Sequence, residues 1–374
     1  MTVDILALVI VVYALVYLVF AVLIMAGEKR LKSASLPVEL PRISVVICAR
    51  NEEHNLPRTL NSIIKLDYPR DRLEVLLVDD ESEDRTGEIC REYAARDRMF
   101  RVLSTAGESH DLNAKQRPLN LGVRESTGEI VCITDADIEV QPGWIKGHLS
   151  AYDETIGIVG ATTRVDTSSG KLFDRLQCSD LITKHAVAMG CSGLGFPITV
   201  MGNNMSFRRE AFDAVGGFFG VSASIVEDMA LMNAIVRQTG YTSRWVTDES
   251  GVVVSAPEEN VATFIRQRLR WVYELSDFSF VGRLMMFIEG MMIVSFITSL
   301  ALTYWTLKPL AVVCLSWIAG YLIMLSGLSG ARRSDAFTIP AMIVFQMYYG
   351  TLFFANQIFG KKQVVWKGRV FGKK

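Results

Sequence analysis

The sequence lacks the residue patterns of several common protein classes. Its four histidines are scattered and have no zinc-ligand spacing. Lysine and arginine total 39 against 40 aspartates and glutamates, and this net charge of −1 argues against nucleic acid as a partner. Neither GxxxxGKS/T nor GxGxxG follows the first predicted strand, so the sequence lacks the motifs that would indicate a nucleoside triphosphatase or a dinucleotide oxidoreductase.

The cysteines form no CxxC pair and no spacing typical of a disulfide framework. Most lie in apolar segments, and we expect buried free thiols in a reducing compartment. The six are Cys48, Cys90, Cys132, Cys178, Cys191 and Cys314.

Long charge-free apolar runs are abundant. Residues 5–26 contain no charged side chain, and a membrane-spanning helix needs about 20 residues. This run is long for a signal peptide and has no basic segment before it and no small-residue cleavage site after it, so we interpret it as a retained anchor. Three further runs, 290–307, 309–331 and 336–360, are also charge-free. We therefore predict an integral, multi-pass protein of the cell membrane.

Basic residues near the first run predict its orientation. Lysines and arginines at 29–32 follow the run and none precedes it, which places the N-terminus outside and the next domain in the cytosol. Three further crossings would leave Arg332 and Arg333 in the cytosol, as expected if basic residues stay on the cytosolic side. They would, however, put the basic tail, 361–374, outside. Either the last apolar run does not fully cross the membrane, or the tail is an exception.

The segment between the apolar runs has the composition of one soluble domain. Short, continuously apolar, β-branched runs at 43–48, 73–78, 100–103 and 130–134 predict buried strands. Helical patterns alternate with them, which predicts a parallel, doubly wound sheet.

Polar clusters follow three of these strands: ARNEE at 49–53, DD at 79–80 and DAD at 135–137. Ligands bind at the carboxyl ends of the strands in such sheets. On an extended chain, Asp135 and Asp137 point the same way and would repel each other without a cation between them. A lone DxD is commonly a solvated turn, but at the end of a buried strand it favours an Mg²⁺ or Mn²⁺ site.

The stretch RQRLRW, residues 266–271, has two interpretations. Alone, it suggests a basic, aromatic collar at the lipid headgroups. Gln267, Arg270 and Trp271 share one helix face, however, so they could instead be part of an active site. Arg268 lies off this face and is a candidate for lipid headgroups.

In this order, ARNEE, VDDES, DAD, VED (226–228) and QRLRW resemble the D, D, D, QxxRW series of the membrane-integrated family 2 glycosyltransferases. These include cellulose, hyaluronan and poly-N-acetylglucosamine synthases and the related ceramide glucosyltransferases. The resemblance implies an α/β GT-A nucleotide-diphospho-sugar transferase domain, with a mostly parallel doubly wound sheet, plus α-helical transmembrane segments. The implied units are an N-terminal transmembrane helix (1–27), a linker (28–42), a cytosolic GT-A domain (43–255), amphipathic interface helices carrying QxxRW (256–283), three apolar segments (284–360) and the basic tail (361–374).

The resemblance also implies site residues. Asp228 would be the general base, and Asp137 with Asp135 would hold Mg²⁺ or Mn²⁺. Acceptor contacts are implied for Asn203, Asn204, Glu227 and Trp271. Donor contacts are implied for Arg50, Glu52, Asp79, Asp80, Lys115, Asn120, Asp135, Gln267 and Arg270. The glycine that precedes this lysine in the family is Ala114 here.

The implied activity is metal-dependent, inverting hexosyl transfer from a nucleotide diphosphate sugar, with uridine as the family default. We expect a membrane-embedded lipid acceptor at the cytosolic face, because four apolar runs are few for a polymer channel. The alternative is a processive polysaccharide synthase that exports its polymer. A non-catalytic sugar-nucleotide sensor would be expected to have lost the base or the metal carboxylate, and both are present.

Overall fold

The computed structural model describes residues 2–108, 112, 115–221, 226–271, 278–304, 306–325, 338–359, 364–366 and 369–371. Its strands are β1 Ile43–Ala49, β2 Leu73–Asp79, β3 Phe100–Ser104, β4 Ile130–Asp135, β5 Ile138–Glu139, β6 Ile156–Gly160, β7 Thr163–Val165, β8 Asn204–Arg208, β9 Thr242–Trp245, β10 Val253–Ser255, β11 Val364–Trp366 and β12 Arg369–Phe371. Its α-helices are α1 Thr2–Glu28, α2 Leu56–Ile63, α3 Thr86–Arg96, α4 Gln116–Glu125, α5 Trp144–Leu149, α6 Leu172–Gly193, α7 Arg209–Ala214, α8 Glu227–Gln238, α9 Val261–Trp271, α10 Phe280–Ala301, α11 Lys308–Leu325 and α12 Ile339–Phe359.

The central sheet has seven strands in the order β3-β2-β1-β4-β8-β6-β9. The four predicted strands are confirmed as β1 to β4, which pair in parallel. Strand β8 runs antiparallel to both β4 and β6, so the sheet is mixed. A small second sheet, β5-β10-β7, was not predicted.

Both faces of the sheet are buried, which explains the unbroken apolar runs. On β1, Val45 and Ile47 pack toward Leu60 of α2. The intervening Val46 packs on the other face with Leu119 of α4. Helices cover both faces, so most positions of the central strands carry apolar side chains.

All six cysteines are free, and four of them are buried, which confirms the prediction of free thiols. Burial raises the pKa of the Cys132 thiol to about 12. A thiol in this environment stays protonated and unreactive at neutral pH.

The predicted apolar runs fall on α1, α10, α11 and α12. Among the described residues, two helices are long and apolar enough to cross a membrane, Asp4–Glu28 and Phe280–Ala301. The apolar part of α11, Lys308–Ile323, is shorter. The orientation markers Arg332 and Arg333 lie outside the described residues, so the topology stays a prediction.

Glycines allow α1 to pack closely against α6. A Cβ atom added to Gly193 would lie 1.9 Å from the carbonyl oxygen of Gly27. A Cβ atom added to Gly190 would lie 2.6 Å from the carbonyl oxygen of Ile24. Both obstacles are backbone atoms, so the two helices could not keep this distance with larger residues.

We expect Gly193→Ala to push α1 away from α6 and to lower the free energy of unfolding by about 1–3 kcal/mol, the usual cost of overpacking. Thermal unfolding of the full chain in detergent measures this loss. Gly240→Ala is the matched control, because nothing lies within 4 Å of its added Cβ. Equal unfolding temperatures for the two variants would contradict the close packing of α1 on α6.

Candidate active site

A cavity of about 430 Å³ opens at the carboxyl ends of β1 and β4, and the N-terminal end of α8 and helix α9 form its other walls. The sequence analysis predicted fifteen site residues, and twelve of them line this cavity. They are Arg50, Glu52, Asp80, Lys115, Asp135, Asp137, Asn203, Glu227, Asp228, Gln267, Arg270 and Trp271. The fold therefore brings together residues up to 221 positions apart in the sequence (271 − 50).

The two aspartates of DAD face the cavity together. Asp135 and Asp137 line it, and the intervening Ala136 is only 3% exposed and packs in the core. Lys115 forms an ion pair with Asp135, and its Nζ atom lies 3.6 Å from the Glu227 carboxylate. Burial lowers the pKa of Lys115, but these two carboxylates outweigh burial and raise it above its ordinary value. The lysine is thus a permanent cation at the centre of the cavity.

The oxygen donors at DAD fit a divalent cation. Two carboxylates facing one cavity are the hard ligands that Mg²⁺ and Mn²⁺ prefer. Among the described residues, no group of three His, Cys, Asp or Glu side chains is arranged to hold a metal ion alone. A cation at Asp135 and Asp137 would therefore complete its shell with water or with the phosphates of a ligand.

Asp228 is held at the start of α8 and lines the same cavity as the strand-end residues Asp135 and Asp137. One carboxylate oxygen accepts the backbone N–H of Gly202 at 2.6 Å, and the other accepts that of Met229 at 2.7 Å. A Cβ atom at Gly202 would lie 2.9 Å from Asp228 Oδ2, so only glycine permits this contact. Burial, with the neighbouring Glu227 charge, raises the pKa of Asp228 to about 7. The carboxyl group can therefore take up and release a proton near neutral pH.

Residues at the ends of β1 and β2 also line the cavity. Arg50 donates to the Asp80 carbonyl oxygen at 2.7 Å. The Asp80 carboxylate is buried and accepts Arg117 at 2.7 Å and the Thr105 hydroxyl at 2.8 Å. Sequence reasoning missed Arg117, although it lies two residues after the predicted Lys115.

Helix α9 closes the cavity with Gln267, Arg270 and Trp271. The Gln267 amide donates to Glu258 Oε1 at 2.8 Å. All three side chains line the same cavity, so the prediction that they share one helix face is confirmed. The prediction that Arg268 faces lipid headgroups is wrong, because this side chain is 7% exposed and its Nε atom donates to Asp180 at 2.9 Å.

Three predicted residues lie away from the cavity lining. Asn204 is fully buried, and its amide donates to the carbonyl oxygens of Thr162 and Gly251 and accepts the Trp144 indole N–H. Asp79 accepts the backbone N–H of Ser82 in the turn after β2. The Asn120 side chain lies beside Gly217. Their positions give Asn204 and Asp79 roles in holding the loops that carry their neighbours.

The remaining lining residues were not among the predicted site residues. Asn55 and Glu258 act through predicted residues, since each forms a hydrogen bond with one of them, Glu52 and Gln267 respectively. The others either adjoin predicted residues in the same motifs or are brought to the cavity by the fold. They are Cys48, Ala49, Pro118, Ala136, Met201, Gly202, Val226, Ser255, Thr263 and Arg266.

The cavity borders the apolar helices. Met201 and Trp271 both line it. Both also pack against an apolar cluster that contains Tyr17 of α1, Met292 of α10 and Trp317 of α11. One wall of an otherwise polar cavity is therefore continuous with the helices that are apolar along their length.

The chain is similar in sequence to known glycosyltransferases. The probable glycosyltransferase YdaM of Bacillus subtilis is 31% identical over 236 residues, 62% of this chain and 55% of that protein. The β-monoglucosyldiacylglycerol synthase of Synechocystis is 28% identical over 246 residues, 63% of this chain and 48% of the synthase. The chain thus spans about half the length of these curated relatives.

The fold has a counterpart among solved structures. A mannosyltransferase from Pyrobaculum calidifontis, solved with GDP-Man and Mn²⁺, has a TM-score of 0.59 and 18% identity, and the match covers 95% of this chain and 99% of that one. This likeness concerns the fold and confirms the predicted GT-A class. The model of glycosyl transferase family 21 matches residues 3–373, where the motifs had suggested family 2 and its relatives. The chain belongs to glycosyl transferase family 21.

Proposed function

We propose that this protein transfers one hexose, with inversion, from a nucleotide diphosphate sugar to a lipid in the cytosolic leaflet of the cell membrane. One observation carries the proposal. Asp228, whose carboxyl titrates near neutral pH, shares a single cavity with the DAD carboxylates, Lys115 and Arg270. A base and the groups that neutralise a leaving diphosphate are the two requirements of this reaction.

The donor would lie along the strand ends. Its base and ribose would contact Arg50, Glu52 and Asp80, where polar groups are already fixed by hydrogen bonds. Its diphosphate would lie near Lys115 and Arg270. Uridine remains the expected base.

A divalent cation, Mg²⁺ or Mn²⁺, would be held by Asp135 and Asp137 and would stabilise charge on the departing diphosphate. The mannosyltransferase of similar fold was solved with Mn²⁺, which supports a divalent ion here. The chain's own contribution is to hold the phosphates: Lys115 and Arg270 would lie beside the oxygens on which charge develops. This kind of electrostatic stabilisation is often the largest single term in catalysis.

The acceptor hydroxyl would attack the anomeric carbon from the face opposite the leaving group. The new bond joins the acceptor oxygen to that carbon, and the bond from the carbon to the diphosphate oxygen breaks. Asp228 takes the hydroxyl proton. Glu227, Asn203 and Trp271 line the side of the cavity where the acceptor would be oriented.

The lipid character of the acceptor is supported by the apolar wall at Met201 and Trp271 and by the glycolipid synthases among the relatives. A lipid lying against α1 and α10 could present its headgroup to Asp228 without leaving the membrane. The proposed topology is multi-pass, with the N-terminus outside. Nothing in the described residues favours the processive synthase.

The pH dependence of transfer tests the assignment of the base. Because the pKa of Asp228 is raised to about 7, we expect kcat/KM to fall as the pH drops below that value and the base becomes protonated. Glu227→Gln removes the adjacent negative charge, so it should lower the pKa of Asp228 and move this acid limb to lower pH. An acid limb that stays in place in Glu227→Gln would contradict the assignment.

A further inference from the structure

A buried carboxylate outside the cavity joins the active-site helix to the last apolar helix. Asp180 of α6 is fully buried. Its carboxylate accepts Arg268 of α9 at 2.9 Å and the Gln346 amide of α12 at 3.1 Å. Lys184 of α6 and the Tyr349 hydroxyl of α12 also donate to it. Four donors from three helices therefore converge on one carboxylate.

Such a charge is expensive to bury unless donors surround it. Burial raises the pKa of Asp180, but Lys184 and Arg268 outweigh it and hold this pKa below its ordinary value. The carboxylate is therefore ionised at any physiological pH. A buried charge whose hydrogen bonds are satisfied specifies one relative position of the helices that supply the donors.

Arg268 transmits this fixed position to the cavity. Its guanidinium donates to Gln267 Oε1 at 2.5 Å and lies 4.1 Å from the centre of the Trp271 ring. Gln267 and Trp271 both line the cavity, whereas Arg268 does not. The arginine thus contacts two site residues from behind, with its charge held by Asp180.

We propose that Asp180 is a positioning residue: through Arg268 it fixes Gln267 and Trp271 over the cavity, and through Gln346 and Tyr349 it ties that geometry to α12. Asp180 is not among the residues that line the cavity. The expected effect of Asp180 on turnover rests on the proposed function. Its expected effect on the hydrogen exchange of helix α9 does not. A change in the packing of α12 would then alter the active site without any contact with a ligand.

Hydrogen exchange of the full-length protein in detergent tests the positioning role without any substrate. In Asp180→Asn we expect amides of 261–271 to exchange at least about tenfold faster, because a buried arginine loses its counter-ion. Amides of β1 and β4 should keep the wild-type rate. Asp67→Asn, which removes an exposed ion pair with Lys146, is the control and should change neither region.

Milder variants keep the test decisive if Asp180→Asn unfolds. Tyr349→Phe removes one hydrogen bond to Asp180, and we expect exchange in 261–271 to rise about 2- to 10-fold. Arg268→Lys keeps the charge but loses the planar stack on Trp271 and the donor to Gln267. Unchanged exchange of 261–271 in both milder variants would overturn the proposal.

Turnover adds a second readout. Asp180→Asn should lower kcat by about 10²-fold, because Gln267 and Trp271 lose their fixed positions. The double variant Asp180→Asn/Arg268→Gln should be no slower than Arg268→Gln alone, because the two residues act as one unit. If the losses of kcat in the two single variants multiplied in the double variant, the shared role would be contradicted. If the wild type transfers no sugar to any acceptor, the proposed function fails, and the exchange data still decide whether Asp180 positions α9.

Discussion

Replacing Asp228 by asparagine is expected to lower sugar transfer by about 10²–10⁴-fold, the usual contribution of a general base. Asparagine has nearly the same shape and can still accept the backbone N–H of Gly202 or Met229. It cannot take a proton from the acceptor hydroxyl. Donor binding should therefore persist, and isothermal titration of the nucleotide with the purified variant measures it.

The matched control for this substitution is Asp213→Asn. Asp213 lies in α7, is exposed and is not among the residues that line the cavity. The Asp213→Asn variant should transfer sugar at the wild-type rate. Substantial turnover in Asp228→Asn would remove Asp228 as the base, and loss of donor binding would show that its role is structural.

Removing one of the DAD carboxylates is the second change with a large expected effect. Asp137→Ala should weaken metal-dependent donor binding by at least about 10–100-fold, the loss that even an outer-shell partner of a metal ligand causes. The physical reason is that Asp135 alone, already paired with Lys115, provides too little negative charge to hold a divalent cation against water. Titration of the nucleotide at increasing Mn²⁺ and Mg²⁺ concentrations measures the effect.

Glu139→Ala is the control for Asp137→Ala, because Glu139 lies two residues further along and is exposed. Its nucleotide affinity should match that of the wild type at every metal concentration. Wild-type transfer that continues unchanged in excess chelator would refute a metal site at DAD.

The parts of the fold that were predicted correctly have strong local signals. The runs that became β1 and β4 are continuously apolar and end in charged residues, and each observed strand is only one residue longer than predicted. Strands of two or three residues, such as β5 and β7, are too short to produce a periodic pattern. The antiparallel β8 was missed because Asn203 and Asn204, where it begins, were interpreted as acceptor contacts, and that interpretation hid a strand.

The errors in the site have a common physical cause, which is that polar side chains find partners far away in sequence. Asn204 looked exposed beside Asn203, but its amide is satisfied by Trp144 and by Gly251. Arg268 was predicted to face lipid headgroups, but its counter-ion is Asp180, 88 residues earlier. No local pattern predicts such pairs. Gln267, Arg270 and Trp271 were found because they resemble the QxxRW motif, and their helical spacing places them on one face.

The most direct test of the account is a screen of labelled nucleotide sugars against the full-length protein and a membrane lipid extract. The account predicts that one donor gives a solvent-extractable lipid carrying a single labelled sugar, and that the product is lost with Asp228→Asn. This result would identify the donor and the acceptor class together. A ladder of water-soluble polymer, or a labelled lipid formed equally well by Asp228→Asn, would contradict it.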